Sequence, residues 1–431
     1  MTAAMVMLLG LVFILLIGIP AAVSMGMAGT LFFGITRGFD NLPFELIASR
    51  IVYGIDSFPL MAVPLFLFVG QLMNESGATT KIFHFSDAII GHVRGGLGHV
   101  NVIGSMIFAG MCGSGTADAA GLGAIELKAM RDAGYDDKFS IGVTAGSALI
   151  GPIIPPSIPA ILYAILADVS ADKVLIAGFL PGVLMSLIMM CLVAYYAWRN
   201  KYPKRHFSGF KKIISTFQQS FFSLLTPVIL IGGIVSGLFT ATEAAGVACC
   251  WAITVACFVY RSINLSKFIM VLRKATVDSA IIMFILACSA LSGWVITRVK
   301  LPEQIVEWMA TLTHNPVIVI ALIMAFLLFV GCFVAVAVAI NVLTPILVPL
   351  AVSLGFDPVH FGVIMIMTLV IGESTPPFGT VLYVLARVSG RPFSLVVNSS
   401  LPWIISILFA VVLVVAFPSI ALWLPNSTLI K

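Results

Sequence analysis

The chain has 431 residues, of which 60% are hydrophobic and only 10% charged, with a formal net charge of +5. A soluble domain of ordinary composition carries about 25% charge, so a water-soluble globular protein is excluded and lipid must be the solvent for most of the surface. The small positive balance is not a nucleic-acid signal, because the Lys and Arg residues gather at the ends of apolar runs, as the positive-inside rule requires.

In chain order, the apolar run 5–35 has no basic flank before it and outlasts a signal-peptide core. It predicts one retained membrane helix. A span over 58–79 follows the pair Asp56-Ser57. A helical hairpin is expected over 97–131, then a span over 139–165 interrupted by Pro155-Pro156, then a closing span over 174–198. Residues 1–200 form the first half. A polar connector, 201–220, joins it to a second half, 221–431. That half begins with two spans in 221–260 and continues with a span over 280–297 after Asp278-Ser279. A hairpin over 317–353, a span over 359–388 broken at Pro376-Pro377 and a closing span over 396–424 complete it.

This parallel order reflects duplication. At an offset of 221, Gly110 matches Gly331, Gly134-Tyr135-Asp136 matches Gly355-Phe356-Asp357, Gly151 matches Gly372, and Pro155-Pro156 matches Pro376-Pro377. Asp56-Ser57 and Asp278-Ser279 match at 222.

Charge places the two halves across the bilayer. Arg199, Lys201, Lys204, Arg205, Lys211 and Lys212 mark the cytoplasmic side. Tracing back puts Asp168 and Asp172 outside, and His92, Arg94, Lys128, Arg131 and Lys138 inside, so the first hairpin opens on the cytoplasm. Tracing forward puts Arg261, Lys267, Arg273 and Lys274 inside. Arg298 and Lys300 fall outside, offset by Glu303 and Glu307, and Arg387 and Arg391 return inside. The second hairpin therefore opens outside. Hairpins that face opposite ways are the mark of an inverted-topology repeat.

Residues 109–121 carry four glycines together with Ser114, Thr116 and Asp118. Glycine lets backbone leave the helix. Irregular backbone at membrane depth must face protein or a water-filled site, and freed carbonyls with hydroxyls suit Na+. Small-residue helix packing is the plainer reading. Asp118, the one acid in this tip, is a functional candidate by position. It can ligand a cation, carry a proton or cap the arm that follows. The run Gly151 to Ser157, with Pro159, cannot continue a helix. It leaves a half-helix starting near Ser157 with free N–H groups suited to an anion. Gly372 to Thr380 is its counterpart, and Glu373 beside that break can bind a cation or a proton. The second tip lacks the polar cluster, but Asn341 offers a carbonyl ligand.

Simpler roles are expected elsewhere. Glu243 caps a helix, Glu126 lies solvated on the hairpin's second arm, and His360 sits at the outer interface. The seven cysteines read as small buried hydrophobes without metal-ligand spacing. No P-loop, zincin motif or catalytic triad is present, so transport must run on an ion gradient.

Together these residues resemble the large membrane subunit, DctM type, of tripartite ATP-independent periplasmic (TRAP) transporters. Those that carry the likeness are Asp56-Ser57-Phe58 with Pro64, Gly113-Ser114-Gly115 with Asp118, Gly134-Tyr135, Ile154 to Pro159, Gly237 to Ala244, Leu343-Thr344-Pro345 and Thr375-Pro376-Pro377. They span essentially the whole chain. The resemblance implies an all-α polytopic protein of two inverted repeats, with two re-entrant hairpins and two broken helices, in which a transport domain moves like an elevator against a scaffold. It implies two or more Na+ ions at Ser114, Gly115, Gly151, Pro155, Pro156, Asn341, Gly372, Glu373, Thr375, Pro376, Pro377 and Gly379. Substrate would meet Thr116, Asp118, Ser157 and Thr380. A small four-span membrane subunit and a periplasmic substrate-binding protein would be partners in the bacterial cytoplasmic membrane, and the cargo would be an organic acid such as a C4-dicarboxylate, sugar acid or sialic acid. Two departures stand out. The family usually has an acid where this chain has Ala335, and here Glu373-Ser374-Thr375 precedes Pro376. Glu373 is therefore expected to replace the missing carboxylate in part. A stand-alone carrier of the same architecture, a channel and a membrane-embedded enzyme are the other readings. The last would need a reactive pair, and neither Ser114 nor Asp118 has a basic partner in the sequence.

Overall fold

A computed structural model of the chain describes residues 2–202, 204–207, 209–301, 303–305, 315–377 and 379–427. Every regular element among them is helical, as lipid demands of a chain that must satisfy its own backbone. Among the described residues, seven helices are long and apolar enough to cross a membrane. The longest, Leu265–Arg298, has 34 residues and at 1.5 Å per residue extends about 50 Å. It projects well beyond a hydrocarbon core of about 30 Å.

The apolar run 5–35 is two helices, Thr2–Leu16 and Ala21–Arg37, rather than the single one expected. Pro20 removes a backbone donor and Gly18 takes φ 91°, so the chain turns and the two helices pack on each other. The correction makes the halves alike, since Phe210–Val235 and Ala241–Thr254 open the second. Each half then crosses the membrane an odd number of times: two opening helices, the helix at the Asp-Ser pair, the broken helix and the closing helix. An odd number inverts the second half. One difference persists. Leu265–Arg298 is continuous, whereas its equivalent is split into Phe44–Tyr53 and Ala62–Glu75 around residues 54–57.

The hairpins do not cross. The first has arms Gly96–Cys112 and Leu122–Asp132, joined by the short helix Gly115–Ala120. The second has arms Pro316–Gly331 and Val336–Ser353. First arms of 17 and 16 residues reach only about 25 Å, so each hairpin enters and returns, including the second, whose other arm Val336–Ser353 is one of the seven apolar helices. The broken helices are Asp137–Ser147 with Ile158–Leu166, and Pro358–Gly372 with Thr380–Ser389. The closing helices are Phe179–Arg199 and Phe393–Ala416.

Contacts between halves come in exchanged pairs. Ala21–Arg37 packs on Leu265–Arg298, and its equivalent Ala241–Thr254 packs on Ala62–Glu75. Gly115–Ala120 packs on Thr380–Ser389, and the second hairpin's arm Val336–Ser353 packs on Ile158–Leu166. A pseudo-twofold relation produces this pattern. Polar contacts respect the charge-derived sides. Asp137 pairs with Arg131 and Arg391, Arg205 with Asp87 at 3.2 Å, and the Lys81 ammonium lies 2.8 Å over the Tyr260 ring; all are on the cytoplasmic side. Asp172 accepts from the Ala241 N–H at 2.7 Å and the Tyr163 hydroxyl donates to the Pro358 carbonyl at 2.5 Å, both outside.

Glu243 caps its helix, its carboxylate accepting from the Thr240 N–H at 2.9 Å while the Thr240 hydroxyl accepts from the Glu243 backbone N–H at 3.4 Å. Three expectations are corrected. His360 is buried, with Nε2 2.8 Å from the Val414 carbonyl, because the closing helix covers it. Glu126 is buried rather than solvated, because the hairpin's first arm packs over its face. Among the cysteines, Cys112 and Cys288 are buried, but Cys191 and Cys250 are exposed on outward faces of their helices.

Candidate functional site

The first hairpin tip is set by two residues. Gly113 ends the first arm with φ 61°, a conformation that disfavours a Cβ, and a Cβ there would also strike the Pro156 carbonyl. Ser114 is extended and caps the following turn, accepting from the Ala117 N–H at 3.4 Å. Its hydroxyl also lies 3.1 Å from that of Thr116. The cap is therefore Ser114 and not Asp118, which frees the acid from that role.

The first break is wholly buried from Gly151 to Ala160. Helix Asp137–Ser147 tightens through 148–150 and dissolves at Gly151. The Pro155-Pro156 bond is cis, as is Pro376-Pro377 in the other half. Ser157 restarts the helix. Its hydroxyl accepts from the Ala160 N–H at 3.2 Å and donates to the Pro152 carbonyl.

The second break keeps the same grammar with a more open face. Pro358–Gly372 ends at Glu373, the Thr375 hydroxyl donates to the Ile371 carbonyl at 2.8 Å, and Gly379 takes φ 35° before Thr380–Ser389. The Val381 N–H reaches back to the Glu373 carbonyl at 3.0 Å. Glu373 and Thr375 are half-buried, and Pro376, Pro377 and Thr380 are exposed.

These pieces converge. A Cβ on Gly115 would lie 2.8 Å from the Ala148 carbonyl and 3.5 Å from Glu373 Oε2, and one on Gly151 would lie 3.3 Å from the Ser114 carbonyl carbon. The first tip thus touches both breaks at once. The Ser374 hydroxyl crosses to the Ala145 carbonyl at 3.4 Å, tying the two broken helices together. Gly331 of the second hairpin meets Gly372 backbone to backbone, too close for any side chain. Asn341, in the second turn of the second arm, is buried. Its Nδ2 donates to the Ala337 carbonyl at 2.7 Å, and its Oδ1 has no donor. Thr380, on the outer face of its half-helix, is the expected residue that stands apart.

Sequence reading missed the support beneath this cluster. Asn101 in the first arm donates to the Thr144 hydroxyl at 2.8 Å and accepts from the Ser147 hydroxyl at 2.5 Å, locking the hairpin to the first broken helix. Gln71 donates to Asp278 at 2.6 Å, joining Ala62–Glu75, which follows the first Asp-Ser pair, to Leu265–Arg298, which carries the second. The only signal for the first was a polar residue in an apolar arm. The arrangement as a whole offers hydroxyl, carbonyl and carboxylate oxygens, with helix starts beside them. It can hold a hard monovalent cation and an anion together.

The chain matches the family model for the tripartite ATP-independent periplasmic transporter, DctM component, over residues 8–420. It is 38% identical over 414 residues to the sialic acid TRAP transporter large permease protein SiaM of Vibrio cholerae, covering 93% of this chain and 97% of that protein. It is also 38% identical to the sialic acid TRAP transporter permease protein SiaT of Haemophilus influenzae, over 96% of this chain and 67% of that one. The crystal structure of the Alcanivorax borkumensis YdaH transporter is similar with a TM-score of 0.65, over 87% of this chain and 89% of that chain. At 14% identity that likeness concerns the fold.

Proposed function

Since the chain belongs to the DctM family and is a TRAP transporter large permease of the bacterial inner membrane, we propose that it imports a small organic acid driven by Na+. A periplasmic binding protein delivers the acid, and a small four-span subunit braces the scaffold. The observation that carries this reading is the convergence of the first tip on both breaks, with Gly115 against Ala148 and Glu373. Na+ takes the oxygens of Ser114, Gly115, Gly151, Pro155, Pro156, Asn341, Gly372, Glu373, Thr375, Pro376, Pro377 and Gly379. The acid contacts Thr116, Asp118 and the helix starts at Ser157 and Thr380, whose N–H groups favour negative charge. The hairpins and broken helices move together past the opening helices as an elevator. Relatives named for sialic acid at 38% identity make that acid the first substrate to try.

The test is uptake into liposomes holding the chain with its small subunit, with binding protein outside. Uptake of sialic acid, or of a C4-dicarboxylate in its place, should collapse when choline replaces Na+. Glu373→Gln should raise the Na+ requirement about tenfold, the order of one lost charge-assisted contact. An unchanged Na+ curve in that variant would remove Glu373 from the site. Uptake by the chain alone would favour a stand-alone carrier.

A further inference from the structure

Glu126 sits midway along the first hairpin's second arm, 1% exposed, and neither carboxylate oxygen has a hydrogen-bond partner. It lies against the facing arm at Gly104, where a Cβ would come 3.0 Å from its Oε1. Asp118, 2% exposed and also without a partner, lies beside Ser105, the next residue of that arm. Two acids therefore face one short stretch of Gly104-Ser105. The Ser105 hydroxyl is close enough to act on Asp118 but falls outside hydrogen-bond geometry.

Every cation on the elements packed around Glu126 is committed or turned away. On its own arm Lys128 and Arg131 are exposed. On Ala78–Ile90, Lys81 covers the Tyr260 ring, Asp87 pairs with Arg205 and His84 is exposed. On Asp137–Ser147, Asp137 is held by Arg131 and Arg391 and Lys138 is exposed. On Thr380–Ser389, Tyr383 and Arg387 are exposed. The first arm contributes buried His99 and Cys112, neither of which hydrogen-bonds Glu126. Among the described residues, the acid Asp118 is near enough to repel it.

An ionised carboxylate buried without partner or counter-ion is among the most costly arrangements a protein can hold, and a second acid nearby adds like-charge repulsion. A cation must complete the position. Na+ needs a shell of several oxygens. A proton needs one oxygen and no shell, and beside Gly104 the neighbour of Glu126 Oε1 is the apolar Leu122 side chain. We propose that Glu126 is a proton-binding position within the first hairpin, separate from the Na+ site at the tip, and that its proton exchanges with the cytoplasmic side as a second coupling ion. The step balances simply: the carboxylate takes a proton from hydronium through the substrate cavity when that cavity faces outward, and releases it to water at the cytoplasmic mouth of the hairpin. The hairpin opens on that side, and its arm ends in the exposed groups Arg131 and Asp132.

The inference deepens the transport reading, but one arm of its test stands free of it. Infrared difference spectra of the purified chain, recorded as pH is stepped, should show the C=O stretch of a protonated carboxylic acid. That band should be missing in Glu126→Gln and shifted in Glu126→Asp. In liposomes at fixed Na+ gradient, wild-type uptake should respond to a pH gradient, and Glu126→Gln should lose that response while keeping its dependence on Na+. A wild-type spectrum without a titrating acid band overturns the proposal, whether or not the variant folds. So does a Glu126→Gln chain that keeps both the band and the pH response. Absence of uptake under every condition would instead count against the transport reading and leave the infrared result to decide this one.

Discussion

Replacing Gly113 by alanine separates two demands on that residue. The first is conformational: φ is 61°, and an L-residue there costs about 1–2 kcal/mol. The second is spatial, since the new Cβ overlaps the Pro156 carbonyl, an atom of backbone that cannot swing aside. Overpacking of that kind adds about 1–3 kcal/mol. Gly134 supplies the control, because it has φ 79° with nothing within 4 Å of an added Cβ. It therefore faces the first demand alone. Gly134→Ala should lower the melting temperature modestly and leave Na+-dependent uptake near wild type. Gly113→Ala should lose a similar increment for its dihedral and, beyond that, drive the tip off the first break. Its excess of about 1–3 kcal/mol is roughly a 5- to 150-fold loss of the docked arrangement. The assay is paired: melting in detergent for the shared term, and initial uptake rate against Na+ for the difference. Equal uptake in the two variants would refute the claim that the tip's seat on Pro156 builds the site.

Two further outcomes follow from the same geometry. Asn341→Ala removes a buried amide whose Oδ1 has no donor, and the half-saturating Na+ concentration should rise about tenfold, or ~1.4 kcal/mol; a wild-type Na+ curve would take Asn341 out of the cation site. Asp137→Asn releases Arg131 and Arg391, which are 51% and 47% exposed, so stability measured by chemical or thermal melting should fall by less than about 1 kcal/mol and the difference should shrink in high salt. A loss above ~2 kcal/mol would mean that this cluster clamps the hairpin to the second half.

The architecture was legible because duplication leaves marks that packing cannot blur. Gly151 and Gly372, and the two Pro-Pro pairs, must recur wherever the backbone breaks, so their constant offset located both broken helices. Charge gave the sides, and Arg391 beside Asp137 agrees with it. Burial was not legible in the same way. Glu126 shares its arm with Lys128, Arg131 and Asp132, and a helix in that company reads as solvated. Which of its faces is covered depends on where the first arm lies. His360 is covered by a carbonyl 54 residues away, a distance no local pattern spans. The turn at Gly18–Pro20 was visible as residues but not as a decision, because proline can end a helix or only kink it.

The two halves agree in plan and differ in cover, and the difference has a direction. The outer half-helix Ile158–Leu166 is buried from Ile158 to Ala164. It packs on the second hairpin's arm and reaches Phe58–Met61 and Ala62–Glu75 among the long membrane helices. Its equivalent Thr380–Ser389 packs mainly on the first hairpin and Asp137–Ser147, parts of the body proposed to move, and on the closing helix Phe393–Ala416. That leaves Thr380, Tyr383 and Arg387 as an exposed stripe at helical spacing. Arg387 lies at the end that charge assigns to the cytoplasm. With the external half seated against the scaffold side and the cytoplasmic half uncovered, the arrangement corresponds in the elevator proposal to a state open inward. Pseudo-symmetry then describes the opposite state without a second structure: Thr380–Ser389 would take the covered place and Ile158–Leu166 the open one. Glu126 fits this scheme, because the hairpin that carries it is the one packed on Thr380–Ser389. A charge change on its second arm would bear on the half-helix that this state leaves uncovered.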